Sequence, residues 1–162
     1  RLPLPPLTIP VWLDPAQPAA PNAAPAARSR PTKAMALERI FPDSSATPRG
    51  HYTPGMRAGD FVYVSGQGPI DPVSDELVVT DVATQTRMTL ENVERVLAAA
   101  GASRTDIVKV SVFLRDISDF ATMNKAYGEF FGEHKPARTT IESKFHKAEM
   151  LVEIDCVAYK PL

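Results

Sequence analysis

The chain has 162 residues, a length that fits one domain with a real core, and its 44% hydrophobic and 23% charged content is ordinary for a globular protein. A formal net charge of −1 argues against a protein built around the phosphate backbone of nucleic acids, while leaving room for a small basic patch. One cysteine excludes an internal disulfide framework and a Cys-rich zinc module.

Nine of the sixteen prolines fall between Arg1 and Ala34, together with eight alanines, and the first glycine is Gly50. Proline removes backbone donors and blocks helix, so residues 1–34 are expected to form an extended tail and residues 35–162 a folded domain. The tail carries a charge of +3 and the domain −4. A targeting segment or a linker fits that composition, Met35 is a plausible native start, and Trp12 could anchor the tail on a surface. No apolar run is long enough to predict a membrane span.

In the domain, Leu37 to Phe41 reads as a short strand. Phe61 to Ser65 is β-branched and aromatic and is entered through turns at Pro54-Gly55 and Ala58-Gly59-Asp60, so it reads as a second strand. From Asp81 to Ala100, Val82, Leu90, Val93, Val96, Leu97 and Ala100 share one helical face, with Thr80 or Asp81 as cap and Gly101 as stop. Ile107 to Arg115 alternates, placing Val108, Val110, Val112 and Leu114 on one face. A second helix is predicted from Asp119 as cap to Gly132, with Phe120, Tyr127, Phe130 and Phe131 at core spacing. After Lys135-Pro136, Thr139–Phe145 and Met150–Tyr159 read as two antiparallel strands.

The order β-β-α-β-α-β-β is an α+β pattern with both helices on one face of a mixed sheet. Tyr63, Phe113, Leu151 and Val157 are left on the other face, too apolar for water, which predicts a homo-oligomer.

Phosphate loops, dinucleotide fingerprints, HExxH and the GxSxG elbow are all missing from the sequence. Arg138 at a strand start and Glu153 inside the last strand are the polar residues that call for explanation. A guanidinium that stays charged grips a carboxylate in two-point fashion, and a carboxylate in a strand can activate water. The competing reading is a cross-strand ion pair of Arg138 with Glu153 or Asp155. Tyr52 and Ser65 are structurally commonplace, Cys156 reads as an inert buried thiol, and His51, His134 and His146 show no metal-ligand spacing.

Gly59-Asp60-Phe61-Val62-Tyr63-Val64-Ser65-Gly66-Gln67, Asp106-Ile107-Val108-Lys109 through Phe113-Leu114-Arg115-Asp116, Asp119-Phe120 with Asn124 and Tyr127, Pro136-Ala137-Arg138 and Val152-Glu153-Ile154-Asp155 together resemble the YjgF/YER057c/UK114 family, also called the Rid (reactive intermediate deaminase) family. The resemblance runs from Gly50 to Tyr159. It implies a chorismate-mutase-like fold, a homotrimer with a barrel-like centre and clefts between protomers. The activity it implies is hydrolysis of enamine and imine intermediates such as 2-aminoacrylate to a 2-oxo acid and ammonia, without cofactor or metal.

By the same resemblance, Arg138 binds the substrate carboxylate and Glu153 serves the attacking water. Tyr52, Ser65, Asn124 and Thr140 line the cleft. The chain departs from the family pattern at His51 for proline, Gly68 for an aliphatic residue, Thr140 for cysteine, and Phe145-His146 for Leu-Pro. Alternatives are a non-catalytic binder of 2-oxo acids, a biosynthetic enzyme on the same scaffold, and a ribonuclease or translation inhibitor, which the −4 charge of the domain disfavours. The expected location is cytoplasmic, with the role of the tail left open.

Overall fold

Six strands and two helices build the domain. The structure, a computed structural model, describes residues 37–44 and 48–162. The Pro/Ala-rich tail, Trp12, Met35 and the boundary near Ala34 lie outside the described residues.

The strands are β1 (Leu37–Ile40), β2 (Gly55–Ala58), β3 (Phe61–Gln67), β4 (Ile107–Leu114), β5 (Ala137–Glu142) and β6 (Val152–Tyr159). Helix α1 (Val82–Ala99) connects β3 to β4, and α2 (Phe120–Phe131) connects β4 to β5. The sheet order is β1-β2-β3-β6-β4-β5, with β4 and β5 parallel and every other neighbouring pair antiparallel.

Helix α1 is bounded by the signals the sequence carries. Asp81 caps it by accepting from the Thr84 backbone N–H, and Gly101, at φ +70°, lets the Ala102 N–H return to the Leu97 carbonyl at 2.8 Å. Its face of Leu90, Val93, Val96 and Leu97 packs over β3 and β6 and shares one buried cluster with Val62 and Val64 of β3, Val110, Val112 and Leu114 of β4, and Val152, Ile154 and Cys156 of β6. Burying each such aliphatic side chain contributes ~1.5–3 kcal/mol before chain entropy is counted. Met123, Tyr127 and Phe131 extend this core under α2.

Five predicted features change. Gly55–Ala58, read as turn, is a four-residue strand paired on both edges, with β1 and with β3. The last two strands are not neighbours. Both edges of β6 are taken by β3 and β4, and the α2 crossover delivers β5 parallel to β4 on its far side. The register of β4 against β6 shifts between Ile107 and Lys109, so Ile107 is buried where alternation had placed Val108, which is exposed. Asp119 makes no side-chain cap; Asp116 accepts from the Ser118 N–H at the head of a 3-10 turn that runs into α2. Phe120 is exposed rather than core.

The face of the sheet turned away from the helices carries Phe61, Tyr63, Ile141 and Tyr159, which are 40%, 48%, 47% and 42% exposed. Leu151, assigned to that face from the sequence, packs against the core instead. Among the described residues no helix is long and apolar enough to cross a membrane.

Candidate active site

Arg138 enters β5 beside α2. In the parallel register it lies opposite Val110, a core residue, so its side chain belongs to the helix-facing side of the sheet. The guanidinium carbon stands 4.6 Å from the Tyr127 ring centroid and 5.6 Å from that of Phe120. Aromatic faces attract a guanidinium through their quadrupole.

The ion pairs among the described residues are Arg49–Asp75, Arg95–Glu91, Arg104–Glu94 and Lys160–Asp106. Arg138 is in none of them, which overturns its pairing with Glu153 or Asp155. Asn124, Tyr127 and Gly128 of α2 line a cavity of about 340 Å³ with Arg138, His134 and Lys135. The Tyr127 hydroxyl and the Thr140 Oγ1 are buried, and neither has a partner among the described residues. Burial pushes the Tyr127 phenol up to about 12 against the opposing pull of Arg138, so it stays a neutral donor. The cavity is therefore cationic, through Arg138 and Lys135.

Glu153 stands elsewhere. In β6 it lies between the buried Val152 and Ile154 and pairs with Phe113 of β4, so it points to the face away from the helices. The β3 register shifts between Val64 and Gln67, and at that irregularity Gly66 lies directly against the Glu153 side chain. A Cβ on Gly66 would sit 2.9 Å from Glu153 Cδ, so a larger residue would drive the carboxyl away. Tyr52, Arg49, His146, Lys147 and Met150 complete a cavity of about 140 Å³ around Glu153. Burial pushes the Glu153 carboxyl above its ordinary range; His146 opposes that shift and Asp155 adds to it.

Supporting contacts fix this cavity. The Ser65 hydroxyl donates to the Thr53 carbonyl at 2.7 Å and the Ser65 N–H to Pro54 at 2.9 Å, holding the loop that carries Tyr52. Ser65 is thereby a positioning residue, its hydroxyl already engaged. Arg115 donates from Nε to the Met150 carbonyl at 2.7 Å and from its other end to the Lys147 carbonyl. Gly68 is small because the Met150 methyl occupies its side-chain space, 2.9 Å from where a Cβ would lie.

Of the sequence candidates, Arg138 and Asn124 line one cavity, Thr140 lies two residues along β5 from Arg138, and Tyr52 and Glu153 line the other. Cys156 is buried with its thiol pushed up to about 12, as an inert side chain should be. Sequence reasoning missed Tyr127 and Phe120 as partners of Arg138, Gly66 as the seat of Glu153, and His146 as its neighbour. The spacing of Phe120, Asn124, Tyr127 and Gly128 on one helical stripe was the available signal, since it mixes polar and aromatic residues along a supposed core face.

The described residues define an α+β protein with a mixed six-stranded sheet, helices on one side, a cationic cavity beside Arg138 and a separate cavity that bears Glu153. Residues 43–160 match the family described as Endoribonuclease L-PSP. A RutC family protein of Pyrococcus horikoshii is 46% identical over 123 residues, which cover 76% of this chain and 98% of that protein. A 2-iminobutanoate/2-iminopropanoate deaminase of Escherichia coli is 40% identical over 124 residues, covering 75% and 96%. The crystal structure of E. coli TdcF with bound serine aligns with a TM-score of 0.71 at 36% identity, covering 76% of this chain and 98% of that one. The chain belongs to the Endoribonuclease L-PSP family, the YjgF/Rid family that its motifs resemble.

Proposed function

We propose that the protein is a cofactor-independent deaminase of 2-imino acids and their enamine tautomers, releasing a 2-oxo acid and ammonia. The observation that carries this reading is an arginine set against two aromatic rings at the wall of a cavity, in no ion pair among the described residues. Such a group is built to receive an external carboxylate. The 40% identical relative named as an imine deaminase supports the substrate class.

The chemistry needs little more. Arg138 anchors the carboxylate and fixes the imine carbon. With the imine nitrogen protonated, Glu153 accepts a proton from water as the water oxygen bonds to that carbon and the C=N π pair moves to nitrogen, giving a neutral carbinolamine. The same carboxyl then returns the proton to nitrogen as the C–N bond breaks, and the carbinolamine hydroxyl gives its proton to the departing ammonia, leaving the oxo acid and ammonium. A buried carboxyl with a raised pKa suits this exchange, because its carboxylate is a stronger base toward water than an ordinary one and its acid form keeps the proton until nitrogen takes it.

Arg138 and Glu153 face opposite sides of one sheet, so a shared site requires two copies of the chain. The exposed aromatic face supplies the apolar surface for such an assembly. A homotrimer with three clefts, each joining the Arg138 cavity of one copy to the Glu153 cavity of the next, is the arrangement we favour. Asn124, Thr140 and Tyr52 line it, and no metal or cofactor enters.

Coupling the protein to a pyridoxal-phosphate dehydratase acting on serine or threonine tests the reading. Oxo-acid release should accelerate with the wild-type protein and not with Arg138→Ala. Absence of acceleration, or equal acceleration by the variant, overturns it; retained oxo-acid binding with unchanged release by Glu153→Gln would mark a binding protein instead.

A further inference from the structure

The deaminase reading uses one cation, Arg138, and one carboxyl, Glu153. The Glu153 cavity nevertheless presents two more cationic side chains, Arg49 and Lys147, and an imidazole, His146. Arg49 is committed: its Nη2 lies 3.3 Å from the Asp75 carboxylate and donates to the Asp75 carbonyl at 2.6 Å. His146 and Lys147 belong to no ion pair among the described residues.

The segment that presents them is held rather than loose. Arg115 binds the carbonyls of Lys147 and Met150, its guanidinium lies 5.4 Å from the Phe145 ring, and the buried Gln85 donates to the Glu149 carbonyl at 2.8 Å. A lysine and an imidazole are thus offered from a clamped loop, which lowers the entropy lost when an anion engages them. The remaining wall is apolar, formed by Ile70 and Met150. A cavity near 140 Å³ leaves room for a short side chain and not for a long one.

Resting on the deaminase reading, we propose that the preferred substrates carry a second carboxylate: 2-imino dicarboxylates of four or five carbons. The α-carboxylate sits on Arg138, and the distal carboxylate extends past Glu153 to His146 and Lys147. The side chain of such a substrate crosses the Ile70–Met150 wall with its methylenes and ends at the cationic rim. A monocarboxylate imine reaches Arg138 but leaves that rim unused.

Calorimetric titration of the full chain with two stable product analogues, 2-oxoglutarate and 2-oxobutanoate at equal ionic strength, reads the preference directly. The dicarboxylate should bind about five- to tenfold more tightly. His146→Gln and Lys147→Met should each lower that ratio, and the double variant should bring it near one, while Arg138→Ala weakens both ligands together. Equal or weaker binding of the dicarboxylate, or a ratio untouched by the double variant, overturns the proposal. Turnover is followed in parallel with imines generated by oxidation of glutamate and alanine. If neither imine is accelerated while the binding ratio holds, the deaminase reading fails and the dicarboxylate site stands.

Discussion

Arg138 and Glu153 occupy opposite faces of the same sheet, Arg138 in register with the core residue Val110 and Glu153 in register with Phe113 on the far side. Side chains in a strand alternate strictly, and β4 keeps its register with both neighbours from Lys109 to Leu114, so this separation is fixed by hydrogen-bond geometry rather than by side-chain rotamers. No rotation about χ angles brings the two groups together through a packed sheet.

A mixing experiment follows from that parity. Arg138→Ala and Glu153→Gln should each lower kcat/KM by about a hundredfold or more, through loss of a charge-assisted anchor and of the base. Unfolding and refolding the two inactive proteins together at equal concentration should restore about a quarter of wild-type activity, because random assortment pairs an intact arginine with an intact glutamate at one cleft in four. Activity no higher than the sum of the separately refolded variants would mean that each chain builds its site alone.

Glu153 also links pH to stability. Its carboxyl is raised above 4.5 mainly by burial, so the folded protein keeps a proton that the unfolded chain has released between 4.5 and the raised value. Stability therefore falls as pH rises through that window, and the deficit persists above it. Glu153→Gln has no such proton. Its urea midpoint should exceed that of the wild type at pH 7 to 8, with the gain shrinking to nothing below pH 4. The wild-type pH–rate profile should carry an acidic limb above the ordinary carboxylate range. A variant no more stable than wild type at neutral pH would place the carboxyl in water.

Gly66 and Glu153 should behave as a coupled pair. Gly66→Ala puts a methyl into the carboxyl, so it should cost about 1–3 kcal/mol and most of the activity. In a Glu153→Ala background the same change meets less obstruction and should cost about 1 kcal/mol less. Additive costs in denaturant melts of the four proteins would show that the collision is relieved elsewhere.

The helices and the core were legible because both follow one-dimensional rules: Asp81 and Gly101 bound α1, and the alternation of Val152, Ile154, Cys156 and Ala158 places β6 half-buried. What escaped depends on partners distant in sequence. The β2 strand is four residues long and contains Gly55, so it carries no pattern until β1 and β3 pair with it. Parallel pairing of β5 with β4 leaves no mark on either strand, yet it is what moves Arg138 away from Glu153. Arg138 and Glu153 were visible as polar residues in strands. Tyr127 was hidden by its own burial, since an aromatic at helical spacing reads as core whether or not its hydroxyl serves a cavity.

Gln85 ties the fold to the site. Fully buried on α1, it donates to the carbonyls of Val78 at 3.0 Å and Glu149 at 2.8 Å and accepts from the Leu151 N–H at 2.8 Å. It thereby holds the segment that carries His146, Lys147 and Met150 to the start of β6, two residues before Glu153. Gln85→Leu keeps the volume but strands three backbone groups in the core. The expected cost is about 2–4 kcal/mol, read as a lower urea midpoint with an unchanged m value. Gln85→Glu loses both donations and buries a carboxyl beside two carbonyls, so it should be at least as costly. At temperatures where Gln85→Leu is still folded, a loosened loop should raise KM more than it lowers kcat, because Arg115 still holds Lys147 and Met150 and the Gly66 seat of Glu153 is untouched. An unchanged KM in a folded but destabilised Gln85→Leu protein would mean that Arg115 alone suffices to place the loop.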